Sequence, residues 1–277
     1  MENKLITTKI IAKACKKTNL DFTFATANKT VLAIKLKDKT HYIINSNLGL
    51  ITNTEAHICL DKAYQHEILS DVINISKTIS YLDPFSKFGE FSEYKSHQEI
   101  VGDITDKFSF PLIVKKNTGT EGENVFLCNN ANQVSVAVNN IFNLDSYLYD
   151  HVLIAQQRIN IKEEYRAIFY KNNLELLYKK DISQAQYTGN LSPLHYEGSK
   201  AVDIDDSKFQ QKISDFISPI FKKINLSYAG FDIAEDQSGK LYLIEINSIP
   251  GYAHYLANNP EDKLFNLFTK ILTDLKK

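Results

Sequence analysis

Apolar and polar residues follow one another along this chain in two rhythms, one typical of helices and the other of strands. Apolar residues three and four apart predict helices at 8–17, 61–74, 132–142, 208–224 and 259–277. Short apolar runs between turn residues predict strands at 22–26, 31–36, 41–45, 110–116, 125–129, 149–159, 163–181, 230–235 and 241–247. Helices and mostly antiparallel strands in mixed order indicate an α+β protein of two or three lobes.

Cap, turn and breaker residues add detail to this outline. Asp61 is predicted to cap the second helix, Asn259 to cap the last, and Pro219 to kink the helix at 208–224. Asn172 and Asn173 form a good tight-turn pair within 163–181. Two polar segments predict irregular structure, 81–97 and 183–207.

Composition and charge exclude several classes of protein. The 277 residues carry a net charge of −1, which gives no whole-chain reason to expect a nucleic acid or an anionic membrane as partner, so a basic site has to be local. The three cysteines are too far apart for a CxxC motif, and their odd number argues against a disulfide framework. A reducing cytoplasm is therefore predicted, without a signal peptide or a membrane segment.

Two oxygen-bearing side chains interrupt the apolar strand in "LYLIEINSIPGY", residues 241–252. Strand periodicity places Glu245 and Asn247 on one face with Leu243, and a hairpin about residues 236–240 sets Asp232 nearly opposite Glu245. Two facing carboxylates repel unless one is protonated or a cation lies between them. Oxygen donors of this kind suit Mg²⁺ or Mn²⁺ rather than zinc. The alternative is a solvated hairpin face with two unrelated acids.

Two further features are weaker alone. "KKNTGTEGENV", residues 115–125, is a glycine-bearing tip between two strands that offers backbone N–H groups to phosphate oxygens, although a plain surface turn has the same pattern. Arg166, on a mostly apolar strand, suits phosphate or carboxylate recognition, although taken alone it is better explained by a salt bridge to a neighbouring acid. His254 follows the hairpin, where a lone histidine is usually incidental.

Taken in order, these segments resemble the ATP-grasp superfamily of carboxylate–amine ligases. "FPLIVKKNTGTEGENV" is similar to the family pattern "FPxVVKPxxGSxGxGV", "VLIAQQRI" to its hinge, and "GFDIAED…LYLIEINSIPG" to "GVDxxxx…xxLEVNxxPG". "CLDKAYQHEIL" resembles the opening helix of bifunctional glutathione synthases and cyanophycin synthetases, and "GNLSP" a loop of the ribosomal-protein glutamate ligases.

The resemblance implies an ATP-grasp fold, in which two lobes with antiparallel sheets clasp ATP after a shortened N-terminal lobe. The implied parts are an N-terminal lobe, a lid subdomain and a C-terminal subdomain with the metal site, at 1–57, 58–155 and 156–277. ATP would be bound by Lys115, Gly119, Thr120, Gly122, Gln156, Gln157 and Leu243. Arg166 and Lys180 would be catalytic, while Asp232, Glu245 and Asn247 would hold Mg²⁺ or Mn²⁺. Asn190, Tyr252 and His254 are weaker candidates for substrate contact.

Some positions depart from the family pattern. Asn124 replaces a third glycine, which is tolerable because asparagine enters left-handed backbone conformations more readily than other non-glycine residues. Lys116 replaces a proline, Gln157 a glutamate, and Lys180 a second arginine. These changes motivate a rival interpretation, a nucleotide-binding module without catalysis.

The implied activity is ATP-dependent formation of an amide bond through an acyl phosphate. Within that class the resemblance favours glutathione formation from γ-glutamylcysteine and glycine; the alternative is addition of amino acids to a peptide or a protein side chain. The implied partners are small amino-acid or peptide substrates, with no nucleic acid and no membrane, and a homo-oligomer stays open.

Overall fold

The computed structural model describes residues 2–119 and 122–277. Its helices are α1 (Glu2–Lys17), α2 (Asn53–Leu60), α3 (Lys62–Leu69), α4 (His97–Lys107), α5 (Ala131–Ile141), α6 (Ser207–Ile217), α7 (Ile220–Lys223), α8 (Ala253–Asn258) and α9 (Asp262–Lys276). Its strands are β1 (Phe22–Phe24), β2 (Val31–Lys35), β3 (Thr40–Ile44), β4 (Thr78–Leu82), β5 (Leu112–Lys116), β6 (Val125–Cys128), β7 (Val152–Gln157), β8 (Ile161–Tyr170), β9 (Asn173–Asp181), β10 (Lys200–Asp203), β11 (Tyr228–Asp236) and β12 (Leu241–Asn247). Single turns of 3₁₀ helix lie at Gly89–Phe91 and Pro193–His195.

The strands within the described residues form three sheets whose neighbours pair antiparallel, which confirms the α+β prediction. A three-stranded sheet has the order β1-β2-β3, a four-stranded sheet the order β4-β7-β5-β6, and a five-stranded sheet the order β10-β9-β8-β11-β12. Of the described helices, none is long and apolar enough to cross a membrane.

The N-terminal segment shares a hydrophobic core with the C-terminal part of the chain. Buried residues of α1 and the first sheet, such as Ile11 and Leu32, belong to one cluster with Tyr178 of β9 and Phe268 of α9. The three-part division of the chain stays a prediction. Its second boundary, between residues 155 and 156, falls within β7.

The predicted irregular segment at 81–97 is wrong at both ends. Residues 78–82 form β4, because this run pairs with β7 along its whole length. The next helix, α4, was missed although its start carries a capping signal: Ser96 Oγ accepts the Glu99 N–H at 3.3 Å. Its apolar face buries Ile100 and Ile104.

Other differences concern where helices and turns begin and end. The helix predicted at 61–74 is α3 alone, preceded by α2, and Asp61 does cap it by accepting the Tyr64 N–H at 2.8 Å. The segment at 183–207 contains β10, and Pro219 separates α6 from α7 rather than kinking one helix. Asn259 ends α8 instead of capping the last helix.

The tight turn between β8 and β9 lies one residue earlier than predicted. Lys171 and Asn172 have positive φ angles of 47° and 65°, and Asn173 already belongs to β9. Two left-handed residues in a two-residue hairpin loop match the twist of the paired strands.

Gln65 of α3 connects this helix to the strand that carries the predicted metal ligands. Its buried side chain donates to the Cys59 carbonyl at 2.7 Å and accepts the Ile246 N–H of β12 at 2.9 Å. Nearby, the Leu243 N–H donates to the Asn74 carbonyl at 2.8 Å. These contacts fix the position of β12 against α3 and the segment that follows it.

Replacing Gln65 with methionine keeps the side-chain length and leaves two buried backbone groups without a partner. We expect the free energy of unfolding to fall by roughly 2–6 kcal/mol, since each of the two unsatisfied buried groups costs about 1–3 kcal/mol. Chemical denaturation measures this change. The matched control is Gln211→Met on the exposed face of α6, expected to change stability by less than about 0.5 kcal/mol. Equal losses in both variants would contradict the assigned role of Gln65.

Candidate active site

A narrow pocket lies where the four-stranded and five-stranded sheets approach each other. Side chains from α3, β5, β7 and β12 line it, among them Lys62, Lys115, Gln156, Leu243 and Ile244. Three of these, Lys115, Gln156 and Leu243, were predicted from the sequence as nucleotide contacts. The pocket therefore gathers residues that are up to 182 positions apart, from Lys62 to Ile244.

The two predicted hinge glutamines have different surroundings. Gln156 is buried, and its side-chain amide donates to Thr78 Oγ1 at 2.9 Å. Gln157 alternates to the other side of β7, does not line the pocket, and donates to the Ser109 carbonyl at 3.3 Å. Of the pair, only Gln156 faces the pocket.

Two lysines bring positive charge to this pocket. Lys115 is buried, and burial together with the nearby charge of Lys62 lowers its pKa to about 8, although Glu245 and Glu164 act in the opposite direction. Lys62 Nζ donates to the Gly119 carbonyl at 2.6 Å and lies 3.7 Å from Glu245 Oε2. An anionic ligand here would compensate two cations held close together.

The loop between β5 and β6 is held at its base. The Asn117 side chain accepts the Ala63 N–H at 2.8 Å, and Asp150 Oδ2 accepts both the N–H and the hydroxyl of Thr118, at 2.8 and 2.7 Å. Both Asn117 and Asp150 are buried. The start of the loop is therefore tied to α3 and to the approach of β7.

Backbone conformation explains three residues of this loop. Gly122 has a φ of 74°, and a Cβ atom there would lie 2.1 Å from Asn190 Oδ1. A Cβ atom on Gly119 would lie 2.6 Å from the Lys116 side chain. Asn124 has a φ of 50°, as expected for an asparagine in a glycine position. The predicted contact Thr120 lies outside the described residues.

A buried ion cluster spans three neighbouring strands of the five-stranded sheet. Arg166 of β8 meets Asp232 of β11 with two hydrogen bonds, Nε to Oδ1 at 2.5 Å and Nη2 to Oδ2 at 2.6 Å. Lys180 of β9 donates to Asp232 Oδ2 at 2.8 Å and lies 3.4 Å from Glu164 Oε2. The alternative interpretation of Arg166, a salt bridge to an acid, is therefore observed, and the acid, Asp232, is itself a predicted metal ligand.

Burial and charge act in opposite directions in this cluster. Burial opposes ionisation of Asp232, yet the facing Arg166 and Lys180 hold the pKa of its carboxyl well below the usual range. Burial raises the pKa of Glu164 even though Lys180 partly offsets it. Burial also opposes the charge on Lys180, but Asp232 and Glu164 raise its pKa overall. Asp232 is therefore ionised at neutral pH with both partners charged.

The hairpin of β11 and β12 confirms one expected register and corrects another. Asp232 pairs directly with Glu245, and Gly230 with Asn247. The carboxylates of Asp232 and Glu245 therefore lie on the same face of the hairpin. Leu243 pairs with Ile233 because a bulge at Ile244 shifts the register. Leu243 therefore lies on the face opposite to that of Glu245 and is buried in the core. Leu243 and the neighbouring Ile244 also line the pocket.

The donors at this edge fit a magnesium ion. Asp232 and Glu245 supply carboxylate oxygens and Asn247 an amide oxygen, and the Asn247 side chain already reaches Glu245 Oε1 at 3.3 Å. Mg²⁺ is usually bound by one or two carboxylates together with water and substrate phosphates. Among the described residues no group of three or more acidic, histidine or cysteine side chains is placed to hold a metal, so such an ion would depend on phosphate oxygens as well.

The three weaker substrate candidates have distinct surroundings. Asn190 Oδ1 accepts the Ser192 N–H at 2.8 Å and lies against Gly122, so it joins the segment after β9 to the loop between β5 and β6. Tyr252 is fully buried, and its hydroxyl hydrogen-bonds that of Tyr228. The ring of His254 meets His195 edge to face at 5.2 Å.

Sequence reasoning missed five residues of this region. Lys62 lies in the segment "CLDKAYQHEIL" that carries the resemblance, so a signal for it was present, as it was for Gln65 in the same segment. Glu164 could have been found because it shares a strand face with Arg166. Ile244 and Asp150 carry no comparable signal, since a bulge and a loop anchor depend on tertiary contacts.

Comparison with known proteins identifies the family and the fold of this chain. The pattern of the RimK-like ATP-grasp domain matches residues 84–265, about two thirds of the chain. An uncharacterized protein of Mycoplasma pneumoniae, an MG012 homolog, is 21% identical, over 89% of this chain and 86% of its own length. A D-alanine–D-alanine ligase of Staphylococcus epidermidis is 22% identical over 59% of this chain, which spans 46% of that ligase.

Solved structures show the same fold at low sequence identity. The D-alanyl-alanine synthetase A of Vibrio cholerae has a TM-score of 0.62 at 11% identity, with 98% of this chain and 94% of that chain covered. The VanG D-Ala:D-Ser ligase of Enterococcus faecalis has a TM-score of 0.60 at 18% identity, with 80% and 63% covered. ATP-grasp ligases use ATP and Mg²⁺. Because the family pattern matches about two thirds of its residues, the chain belongs to the RimK-like ATP-grasp family, a family of ATP-dependent ligases.

Proposed function

We propose that this protein is an ATP- and Mg²⁺-dependent ligase that joins a carboxylate to an amine and releases ADP and phosphate. One observation carries the proposal: the pocket with Lys62 and Lys115 borders the strand whose Glu245 faces the ion cluster of Asp232, Arg166 and Lys180. Cations for phosphate, oxygen donors for magnesium and apolar walls for a base thus lie side by side.

In this proposal the base of ATP lies in the pocket and its phosphates extend towards the ion cluster. Leu243 and Ile244 provide apolar contact, and Gln156 a polar edge. Lys115 and Lys62 neutralise phosphate oxygens, while Gly119 and Gly122 belong to the loop that covers them. Gln157 lies on the other face of β7 and has no contact with the base in this proposal.

Magnesium would be held by Asp232, Glu245 and Asn247 together with the phosphates. When bound, it would neutralise the charge on the transferred phosphoryl group. Arg166 and Lys180 sit on Asp232 and fix the direction of its two oxygens. Their own charges also face the region where phosphate charge would accumulate, so they act as catalytic residues in this proposal.

The reaction has two steps. A carboxylate oxygen of the first substrate attacks the γ-phosphorus, and the bond from that phosphorus to ADP breaks, giving an acyl phosphate. The nitrogen of the second substrate then attacks the acyl carbon, phosphate leaves, and the amine proton passes to a base. The loop between β5 and β6, fixed at Asn117 and Thr118, would exclude water from the acyl phosphate.

The substrates are proposed as amino acids or small peptides. The D-alanine ligases among the relatives act on amino acids by their names, whereas those relatives give no support to glutathione as the product. Glutathione therefore stays a prediction from sequence resemblance, beside addition of amino acids to a peptide or a protein side chain. The cytoplasmic location and the homo-oligomer are likewise untested expectations.

Incubation with ATP, Mg²⁺ and a panel of D- and L-amino acids, γ-glutamylcysteine with glycine, and short peptides tests this proposal. We expect substrate-dependent phosphate release and a product whose mass equals both substrates minus water. In Glu245→Gln one metal-binding carboxylate is lost, and we expect turnover to fall by at least about a hundredfold, or about 2.7 kcal/mol. Glu197→Gln, outside this cluster, is the control and should retain turnover.

A nucleotide-binding module without catalysis would give a different result. ATP would raise the melting temperature of the protein, equally in Glu245→Gln, and no member of the panel would release phosphate. That combination would overturn the ligase proposal while keeping the nucleotide site.

The lowered pKa of Lys115 predicts how ATP affinity depends on pH. With a pKa of about 8 in the free protein, most Lys115 is charged at pH 7 and most is neutral at pH 9. Because ATP binds better beside the charged form, affinity should fall about tenfold from pH 7 to pH 9, with proton uptake on binding near pH 8. Titration calorimetry in two buffers of different ionisation enthalpy measures both quantities.

Lys115→Arg is the matched control, since arginine stays charged over this range. Its ATP affinity should be nearly independent of pH between 7 and 9. An equally steep decline in the arginine variant would contradict the assignment of Lys115 to the phosphates.

A further inference from the structure

Charge is distributed very unevenly along this chain. Residues 1–50 contain nine lysines and three acidic residues, a net charge of +6, and because the whole chain carries −1, residues 51–277 carry −7. The near-neutral total therefore conceals a strongly basic N-terminal part. The expectation of no nucleic-acid partner rested on that total alone.

Three separate elements bring lysines together at one end of the molecule. The Asp21 carbonyl, just after α1, accepts the Lys35 N–H at 2.8 Å. The turn between β2 and β3 follows directly, and in it the Leu36 N–H donates to the Lys39 carbonyl at 2.9 Å. At the end of α9, Lys276 Nζ donates to the Thr18 carbonyl at 3.0 Å. We call this region the basic end; its lysines are Lys16, Lys17, Lys35, Lys37, Lys39 and Lys276.

The lysines of the basic end are exposed and lack acidic partners among the described residues. Elsewhere lysines are commonly paired, as Lys13 is with Glu261 at 2.6 Å. Asp274, the acidic residue of α9 nearest to Lys276, is already engaged by Lys171 at 2.7 Å and Lys277 at 3.0 Å. Positive charge at the basic end is therefore available to a ligand.

We propose that the basic end binds the phosphate backbone of a nucleic acid without reading its sequence. A cluster of exposed lysines offers compact positive charges to a repeating anion, and releasing counterions from that anion drives such binding. The first 50 residues contain no arginine, so the bidentate fork that typically recognises guanine edges is missing there. This inference concerns a surface separate from the pocket and does not depend on the ligase proposal.

Other anionic partners fit these residues less well. Lysine is depleted from protein–protein interfaces, where arginine and aromatic residues are enriched. Leu36 and Leu275, the apolar residues beside these lysines, are partly buried and pack against the core. The exposed Ile44 of the same hairpin pairs with Val31, at the end far from Lys37 and Lys39. A backbone of closely spaced phosphates requires neither arginine nor apolar anchors.

Fluorescence anisotropy of the full chain with labelled 20-nucleotide single-stranded RNA, single-stranded DNA and duplex DNA tests the proposal. At 50 mM salt we expect dissociation constants of about 1–100 μM, the range of non-specific binding, with affinity falling steeply as salt rises. Polyglutamate and vesicles containing anionic lipid are the competing probes. Binding of either of these in preference to all three nucleic acids would overturn the proposal.

The decisive variant carries Lys35→Glu, Lys37→Glu and Lys39→Glu. It should bind nucleic acid at least tenfold more weakly, and the slope of log affinity against log salt should fall in magnitude by about 2, at roughly 0.7 per lost contact to a single strand. The control reverses three exposed lysines elsewhere with the same change in net charge, Lys95→Glu, Lys208→Glu and Lys222→Glu. Its affinity should stay within about twofold to threefold of wild type.

Equal weakening in both triple variants, or no nucleic-acid binding by the wild-type protein, would show that the basic end is not a binding site. If the variant with three glutamates fails to fold, a variant with glutamine at Lys35, Lys37 and Lys39 replaces it. Its slope of log affinity against log salt should be smaller in magnitude than that of the wild type. An unchanged salt slope in the glutamine variant would also overturn the proposal.

Discussion

The ionised carboxylate of Asp232, buried between Arg166 and Lys180, is the interaction on which the arrangement of the site depends. Three neighbouring strands each contribute one charged group, so their registers must all be maintained for the three groups to meet. Removing one partner would leave an uncompensated buried charge, which typically costs about 3–5 kcal/mol. The pairing therefore explains both why Asp232 stays ionised and why its oxygens have a fixed direction beside Glu245.

The pocket next to this cluster depends on a second set of contacts, those of α3. Lys62 holds the loop after β5 through the Gly119 carbonyl, Asn117 holds the start of α3, and Gln65 holds β12. One short helix thus connects the two sheets that form the walls of the pocket. These few hydrogen bonds therefore couple the position of the loop between β5 and β6 to that of β12, which carries Glu245.

The N-terminal segment is continuous with the rest of the molecule in its packing but differs from it in charge. The N-terminal segment packs into the same core as α9 and part of the five-stranded sheet, so by packing it is continuous with the rest. By charge it is distinct, with +6 in 50 residues against −7 in the remainder. Burial concerns the inner faces of α1 and its sheet, whereas the lysines lie on exposed positions, and the two properties can therefore vary independently.

Residue patterns were sufficient to locate the elements with strong periodicity and to name candidate residues for the site. Alternation placed β11 and β12 in a hairpin, and a symmetrical fold about residues 236–240 paired Asp232 with Glu245, because antiparallel register follows from turn position. The run from Lys115 to Asn124, with its glycines, was recognisable as a loop between two strands, and its positive φ angles at Gly122 and Asn124 agree with its composition.

Which of these groups meet depends on how the strands and helices pack. Strict alternation placed Leu243 with Glu245, but one extra residue at Ile244 reverses its face, and a bulge of this kind leaves no trace in a pattern of period two. Lys62, Gln65 and Glu164 join the site from distant positions, and contacts across so many residues depend on how sheets pack. The partner of Arg166 was open for the same reason, because an ion pair between strands requires their register and not merely their composition.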